Sequence, residues 1–304
     1  MSDSIELRHV GVAGWGRLGA YVELTKPRIA VLVLIATAVG FHAALPVGSS
    51  LVAGAALIHT LIATALVAAG ANILNQYLEV EQDARMVRTA GRPLPTGRVT
   101  CSEALVLGSA SAGIGVLYLA VMVNALAASL AALTLVSYVF IYTPLKQKTA
   151  FCVFVGAIPG ALPPVIGWAG GCGSLGMGAW LLFTILFFWQ LPHFAAIAWQ
   201  YRDDYARGGF PLLSVIDPNG QRTQLHLITH TVGLLIVSVL PAMAGMAGPI
   251  YAVSAMVLGL AFLASGIVFV IRKTTQAARL HVVASIAYLP LLLAILVIDK
   301  TPHF

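Results

Sequence analysis

The chain has 304 residues, of which 59% are hydrophobic and only 9% charged. Soluble domains carry roughly a quarter charged residues, so a water-soluble globular protein is excluded and an integral membrane protein is indicated. The net charge of +6 sits in loops between apolar segments, which marks membrane orientation and not a nucleic-acid footprint.

Residues 1–20 form a polar tail with Asp3, Glu6, Arg8 and Arg17, and no apolar core with a cleavage site follows, so neither a signal nor a transit peptide is expected. The remaining chain, residues 21–300, reads as one intramembrane domain. Apolar runs of membrane-spanning length fall at 27–45, 51–73, 102–122, 125–142, 150–168, 179–199, 224–246, 249–271 and 280–298. The repeated ten-residue alternation of a β-barrel is missing. The expected fold is therefore an all-α bundle of about nine transmembrane helices.

Basic residues alternate between the ends of these helices. Lys26 and Arg28 precede the first; Arg85, Arg88, Arg92 and Arg98 follow the second; Lys146 and Lys148 follow the fourth; Arg202, Arg207 and Arg222 follow the sixth; Arg272, Lys273 and Arg279 follow the eighth. The links between have no Lys or Arg, so the N-terminus and the basic loops are expected in the cytoplasm and the C-terminus outside. The two large polar loops, 74–101 and 200–223, lie four helices apart on one side. That spacing suggests two pseudo-repeated four-helix halves plus a ninth helix, with both loops capping one cavity. Cys101, Cys152 and Cys172 form no C-x-x-C pair and read as buried or inert thiols.

The first loop opens on Asn75-Gln-Tyr-Leu-Glu79-Val-Glu81-Gln-Asp83 and continues through Arg88 and Arg92. Asn75, Glu79 and Asp83 recur every four residues, so on a continuing helix they share one face, with Glu81 off it. Hard oxygen ligands on one face suit Mg²⁺, and the arginines that follow suit phosphate. Further on, Gly156, Pro159, Gly160, Pro163, Pro164 and Gly167 crowd the fifth span, and small and kinking residues at that density permit close helix approach. Pro192 and His193 interrupt the sixth span, where a bend is expected.

The second loop reads Arg202-Asp203-Asp204-Tyr205, then Gly208-Gly209. Asp204 lies close to three helical turns after His193 and is favoured over Asp203 for the cavity-facing direction. Two acidic clusters with adjacent arginines, beneath an apolar interior, are what ionisation of a lipid diphosphate requires. His193, an imidazole beside a proline inside an apolar span, is a candidate for a functional role. His226 and His230, spaced i,i+4, read as structural.

The run Asn75-x3-Glu79-x3-Asp83 with Arg88-Thr-x2-Arg92-Pro-Leu-Pro resembles the first acidic motif of the UbiA-type intramembrane prenyltransferases, with Glu79 where that family usually has Asp. Thr25-Lys26-Pro27-Arg28, Tyr142-Thr-Pro144-Leu-Lys146, Trp189-Gln-Leu-Pro192-His193 and Arg202-x-Asp204-Tyr205-x2-Gly208-Gly209 resemble its haem-modifying branch, the protohaem IX farnesyltransferases. The resemblance covers about residues 20–298. It implies transfer of a farnesyl group from farnesyl diphosphate to a vinyl group of haem B, giving haem O for haem-copper oxidases, with a haem A synthase as a partner that would take up the product.

Carried onto this sequence, the resemblance assigns Asn75, Glu79, Asp83 and Asp204 to Mg²⁺–diphosphate. Arg88, Arg92 and Lys146 would stabilise the leaving group, and Arg202, Tyr205 and His193 would bind substrate. The missing transit peptide points to a bacterial plasma membrane. A polyprenyltransferase acting on an aromatic quinone or chlorophyll precursor is the rival of the same class, and a secondary transporter the rival of another. A transporter would place its acids near the bilayer midplane, whereas these lie at helix ends.

Overall fold

The computed structural model describes residues 16–46 and 51–301, with the side chains of residues 51 and 52 left aside. Arg8 and most of the expected N-terminal tail lie outside the described residues. A short helix α1 (Arg17–Leu24) leads into α2 (Pro27–Ala44) and α3 (Leu51–Leu78), followed by α4 (Val80–Arg85). Then come α5 (Cys101–Met122) and α6 (Ala125–Val136); a π-helical turn over Ser137–Tyr142 runs into α7 (Thr143–Leu145). The fifth span is split into α8 (Cys152–Ala161) and α9 (Pro163–Cys172), because Pro163 and Pro164 cannot donate to the preceding turn. Helix α10 (Met177–Gln200) is followed by α11 (Arg202–Arg207) and α12 (Leu213–Ile216), and the chain ends in α13 (Gln221–Met243), α14 (Pro249–Arg272) and α15 (Thr275–Ile298).

Nine membrane-length apolar helical stretches are found among the described residues, matching the spans read from the sequence. Helix α2 packs on α3 and α9, α3 on α5, α5 on α6; in the second half α10 packs on α13 and α15, and α14 lies between α13 and α15. Contacts of α2 with α9 and α10, and of α6 with α8 and α9, join the two halves into one bundle, and α15 packs on both α10 and α2. The main apolar core runs through it from Ala36 and Val39 to Leu292 and Leu296, with a smaller cluster of Ala20, Leu24, Ile73 and Leu94 beneath the first polar loop. Outward-facing Ile58, Val106, Leu117, Val253 and Ile286 are exposed, as expected where the solvent is lipid.

Two local features place the site. Helix α2 lies directly against α9: a Cβ on Gly40 would meet the Pro164 carbonyl oxygen at 1.9 Å, and one on Gly167 would meet the Thr37 carbonyl oxygen at 1.9 Å. Only hydrogen at these two positions allows that approach. Pro192 produces no break in α10, which stays helical from Met177 to Gln200. The Gln190 side chain donates to the Leu186 and Ala157 carbonyls at 3.0 and 3.2 Å, binding the proline-bearing segment to α8.

At the opposite end from the basic loops, the chain terminus ties the helices together. The Asp299 carboxylate accepts from the Tyr251 N–H at 2.7 Å, capping the first turn of α14, and Lys300 donates to the His42 and Leu45 carbonyls at the end of α2. Both contacts match the helix dipoles, with an anion at an N-terminus and a cation at a C-terminus.

Candidate active site

The first acidic motif straddles a helix break. Helix α3 ends at Leu78, and Glu79 takes φ −105° and ψ 14° before α4 begins. The hydrogen bonds nevertheless keep helical spacing, with Glu79 N–H donating to the Asn75 carbonyl at 3.0 Å and Asp83 N–H to the Glu79 carbonyl at 2.8 Å. The three residues are 4%, 2% and 0% exposed. Glu81 points to solvent, as its spacing predicts.

Each member of the motif meets a basic side chain. Lys26 Nζ donates to Asn75 Oδ1 at 3.1 Å, Lys146 Nζ donates to both Glu79 carboxylate oxygens at 3.1 Å, and Arg92 donates to Asp83 Oδ2 at 2.6 Å. Asn75 Nδ2 in turn donates to Thr143 Oγ1 at 3.2 Å, and that hydroxyl donates to the Tyr138 carbonyl at 2.8 Å. In the π-helical turn the Tyr138 carbonyl accepts from both the backbone N–H and the hydroxyl of Thr143, five residues on, and π-turns of this kind cluster at functional sites. Tyr138 and Tyr142 stack with centroids 5.4 Å apart beside the carboxylates.

Lys26 is absent from the residues picked out by sequence reasoning. It joins α1 to α2 with a left-handed backbone, φ 52° and ψ 62°, a conformation that costs a non-glycine residue roughly 1–2 kcal/mol. The corner is held by two buried amides of α3: Asn72 Nδ2 donates to the Thr25 carbonyl at 3.0 Å and Gln76 Nε2 to the Leu24 carbonyl at 2.7 Å. Loss of water around the half-buried ammonium, with the charges of Arg92 and Lys146 adding to it against Glu79 and Asp83, pushes Lys26 down to about 7. The signal for it lay in Thr25-Lys26-Pro27-Arg28, where a lysine before the first helix reads as an ordinary orientation charge.

The second motif docks onto the first through the backbone. Asp204 is buried, Asp203 exposed, and the Asp204 carboxylate accepts from the N–H groups of Val87 and Arg88 at 2.9 and 3.2 Å and from the Arg207 side chain. Burial works to raise this carboxyl, but the bonds from Arg207, Val87 and Arg88 outweigh it and hold it below its ordinary value. Through these bonds Asp204 latches the loop that carries Arg88. Both large loops therefore cap the same place, as their spacing suggested.

Arg88 lies over the rings of Tyr201 and Tyr205 at 5.1 and 5.8 Å, and Lys146 over those of Phe210 and Tyr205 at 4.4 and 5.9 Å. These contacts orient cations by their rings. Arg202 is not brought in. It lies over Trp199 at 4.9 Å and pairs with Asp203 at 3.8 Å on the exposed side of α11.

His193 stands about two turns inside α10, away from the acidic motif. It stacks on Trp189 with centroids 4.8 Å apart and shares a 2.6 Å hydrogen bond with Ser285 Oγ of α15, and Trp189 Nε1 donates to the Ser285 carbonyl at 2.8 Å. His226 and His230 pack edge-on against Phe154 with centroids 5.3 and 5.4 Å away, in keeping with a structural role. Cys152 is buried, whereas Cys101 and Cys172 are exposed.

The residues fit a magnesium ion. Asp83 Oδ1 is buried without a hydrogen-bond partner among the described residues, an arrangement that costs roughly 1–3 kcal/mol unless a ligand relieves it. Among the described residues no three or more His, Cys, Asp or Glu converge as a metal cluster. Mg²⁺ characteristically binds through one or two carboxylates together with substrate phosphates and water.

A carboxylate and carboxamide motif beneath basic side chains, at the end of an apolar nine-span bundle, defines an intramembrane enzyme for a diphosphate lipid, and the comparisons agree. The model of the UbiA prenyltransferase family matches residues 33–292, and the chain belongs to that family. It is 45% identical over 286 residues to the protoheme IX farnesyltransferase of Solibacter usitatus, covering 92% of this chain and 98% of that one. It is 35% identical over 301 residues to the mitochondrial protoheme IX farnesyltransferase of Arabidopsis thaliana, covering 98% of this chain and 69% of the relative. Among solved structures, a UbiA homolog from Archaeoglobus fulgidus bound to DMAPP and Mg²⁺ superposes with a TM-score of 0.62 at 16% identity, covering 88% of this chain and 98% of that one. A structure of digeranylgeranylglyceryl phosphate synthase superposes with a TM-score of 0.76 at 15% identity, covering 93% and 98%. At those identities the structural likeness speaks for the fold alone.

Proposed function

We propose that the protein transfers the farnesyl group of farnesyl diphosphate to a vinyl group of haem B and so makes haem O. The observation that carries this reading is the cluster of Asn75, Glu79 and Asp83 with Lys146 and Arg92 at one end of the apolar bundle. The relatives that share most of the chain's length bear the name of that reaction.

Asn75, Glu79 and Asp83 would hold a Mg²⁺ ion, which when bound neutralises charge on the diphosphate. Lys146, Arg92 and Arg88 stabilise the departing oxygens as the allylic C–O bond breaks, where preorganised charge in a water-poor site is most effective. The terminal vinyl carbon of the porphyrin then bonds to C1 of the farnesyl cation. The positive charge moves to the carbon next to the ring, and water adds there with loss of a proton, leaving a hydroxyethylfarnesyl group. His193 and Trp189, two turns toward the membrane interior, are proposed to set the position of the porphyrin. Asp204 supports the reaction by holding the Arg88 loop.

The basic loops, and with them the acidic site, are proposed to face the cytoplasm of a bacterial cell across its plasma membrane. Farnesyl diphosphate would then reach Glu79 and Asp83 from the inner leaflet, with a haem A synthase as the enzyme that takes up the product. The test is haem extraction and mass analysis from cells producing the protein or its Asp83→Ala variant at equal membrane levels. Haem O is expected with the intact protein and absent with the variant; equal haem O from both would overturn the residue assignment.

A further inference from the structure

The hydrogen bond made by one ring nitrogen of a histidine decides what the other can do, and in the second half of the bundle three such bonds fix the tautomer. His193 Nδ1 lies 2.6 Å from Ser285 Oγ, and that hydroxyl donates to the Val282 carbonyl at 2.6 Å. A serine has one proton to give and a carbonyl can only accept, so His193 donates to Ser285 through Nδ1–H. Its Nε2 is left with a bare lone pair. The same holds for His281, whose Nδ1 lies 2.7 Å from Ser265 Oγ while Ser265 donates to the Phe262 carbonyl at 2.6 Å. It holds also for His230, whose Nδ1 donates to the His226 carbonyl at 2.6 Å.

Access separates the three. His281 is 0% exposed and stacks on Phe262 with centroids 4.3 Å apart, and its Nε2 is sealed in without a partner. His230 is hemmed in by the rings of His226, Phe154 and Phe188, with centroids 4.1, 5.4 and 6.3 Å away. His193 is half-buried, and its Nε2 makes no hydrogen bond among the described residues and is not sealed. Its ring is held twice, by Ser285 at Nδ1 and by the near-parallel Trp189 indole, 15° away in plane, whose own N–H is bound to the Ser285 carbonyl. An imidazole whose Nδ1–H is given to an oxygen acceptor is oriented for metal binding at Nε2 and made more basic there. The metal nearest to hand in the proposed reaction is the iron of the porphyrin.

Resting on the proposed transfer to haem B, we propose that His193 Nε2 is the axial ligand of the haem iron, with Ser285 fixing its tautomer and Trp189 its plane. The lone pair forms the bond to iron and the ring's proton stays on Nδ1, so ligation neither releases a proton nor changes the oxidation state of the metal. His193 lies seven residues before the end of α10 at Gln200, about 10 Å along the axis at 1.5 Å per residue. A macrocycle anchored there at its centre directs its edge toward the acidic end of the bundle. His193 is therefore a positioning residue, which sets the depth of the porphyrin while leaving the vinyl group free to react.

The test titrates the purified protein in detergent with haem B and reads the optical spectra of the ferric, ferrous and ferrous–CO forms, with the iron–histidine stretch by resonance Raman. The intact protein is expected to give saturable binding with the signature of an imidazole ligand. His193→Gly should lose that signature and bind haem about 10-fold or more weakly, and added imidazole should restore the spectrum. Ser285→Ala should keep the ligand and lose about 10-fold in affinity, the usual cost of removing the group that orients a metal-bound histidine. His226→Ala should leave the spectrum as it was. If His193→Gly does not fold, His193→Cys carries the same reading, because a thiolate ligand moves the ferrous–CO band to the red. An unchanged spectrum in His193→Gly or His193→Cys, or loss of the imidazole signature in His226→Ala, overturns the assignment, and haem O formed by the intact protein would leave prenyl transfer standing. Failure of the intact protein to bind haem B at all overturns both.

Discussion

Asp83 meets Arg92 through one carboxylate oxygen and leaves the other buried without a partner. If that oxygen waits for a metal–diphosphate, Asp83→Asn should lower turnover about 10²- to 10³-fold, the usual cost of losing one preorganised charge contact. Its thermal midpoint in the absence of ligand should move little, and steady-state kinetics beside a melting curve checks both. His193 belongs to a different place, the α10–α15 contact at Ser285. His193→Ala is expected to raise KM for haem B and leave KM for farnesyl diphosphate unchanged.

Lys26 gives a prediction in pH. Its folded value of about 7 lies below the ordinary 10.5, so between those values the unfolded chain holds the proton that the folded protein has released. Stability carried by this group therefore rises with pH across that window, and the penalty is complete below pH 7. The midpoint of the intact protein, measured against Lys26→Met, should climb as pH goes from 7 to 10; a constant difference would contradict it. The Asn75, Glu79, Asp83 spacing was legible because consecutive turns of one helix stack side chains. Asp204's role as a latch was not, because its partners are the backbone N–H groups of Val87 and Arg88, more than a hundred residues away, and backbone donors leave no mark in a sequence.

At the scale of elements, apolar length alone located the nine spans, since lipid demands that each crossing satisfy its backbone internally. The π-helical turn at Ser137–Tyr142 and the left-handed corner at Lys26 stayed hidden, because neither uses glycine or an internal proline to announce itself. The small residues of the fifth span did announce the close approach of α2 and α9. Gly167→Ala places a methyl group against the Thr37 carbonyl, a backbone atom that cannot move aside as a side chain would. A loss of about 1–3 kcal/mol or more is expected from such overpacking, measured as a lower melting midpoint or poor membrane yield. Gly91→Ala, whose Cβ would meet nothing within 4 Å, should be silent.

For the whole molecule, the distribution of Lys and Arg predicts which face meets the cytoplasm, and the native cysteines can report it. Cys101 and Cys172 are exposed near opposite ends of the bundle while Cys152 is buried. A membrane-impermeant maleimide applied to intact cells should label Cys172 alone, and Cys101 should react only in inverted vesicles; the reverse pattern would contradict the proposed orientation. Two halves closing on one acidic end also explain why the two polar loops, far apart in sequence, meet at Asp204 and Arg88. The central claim is tested most directly by reconstituting the purified protein in lipid vesicles with haem B, farnesyl diphosphate and Mg²⁺ and following the porphyrin by mass. Conversion of haem B to its hydroxyethylfarnesyl derivative, lost with Asp83→Ala, is the predicted result. Unchanged haem B, with the same vesicles prenylating an aromatic quinone precursor, would contradict it.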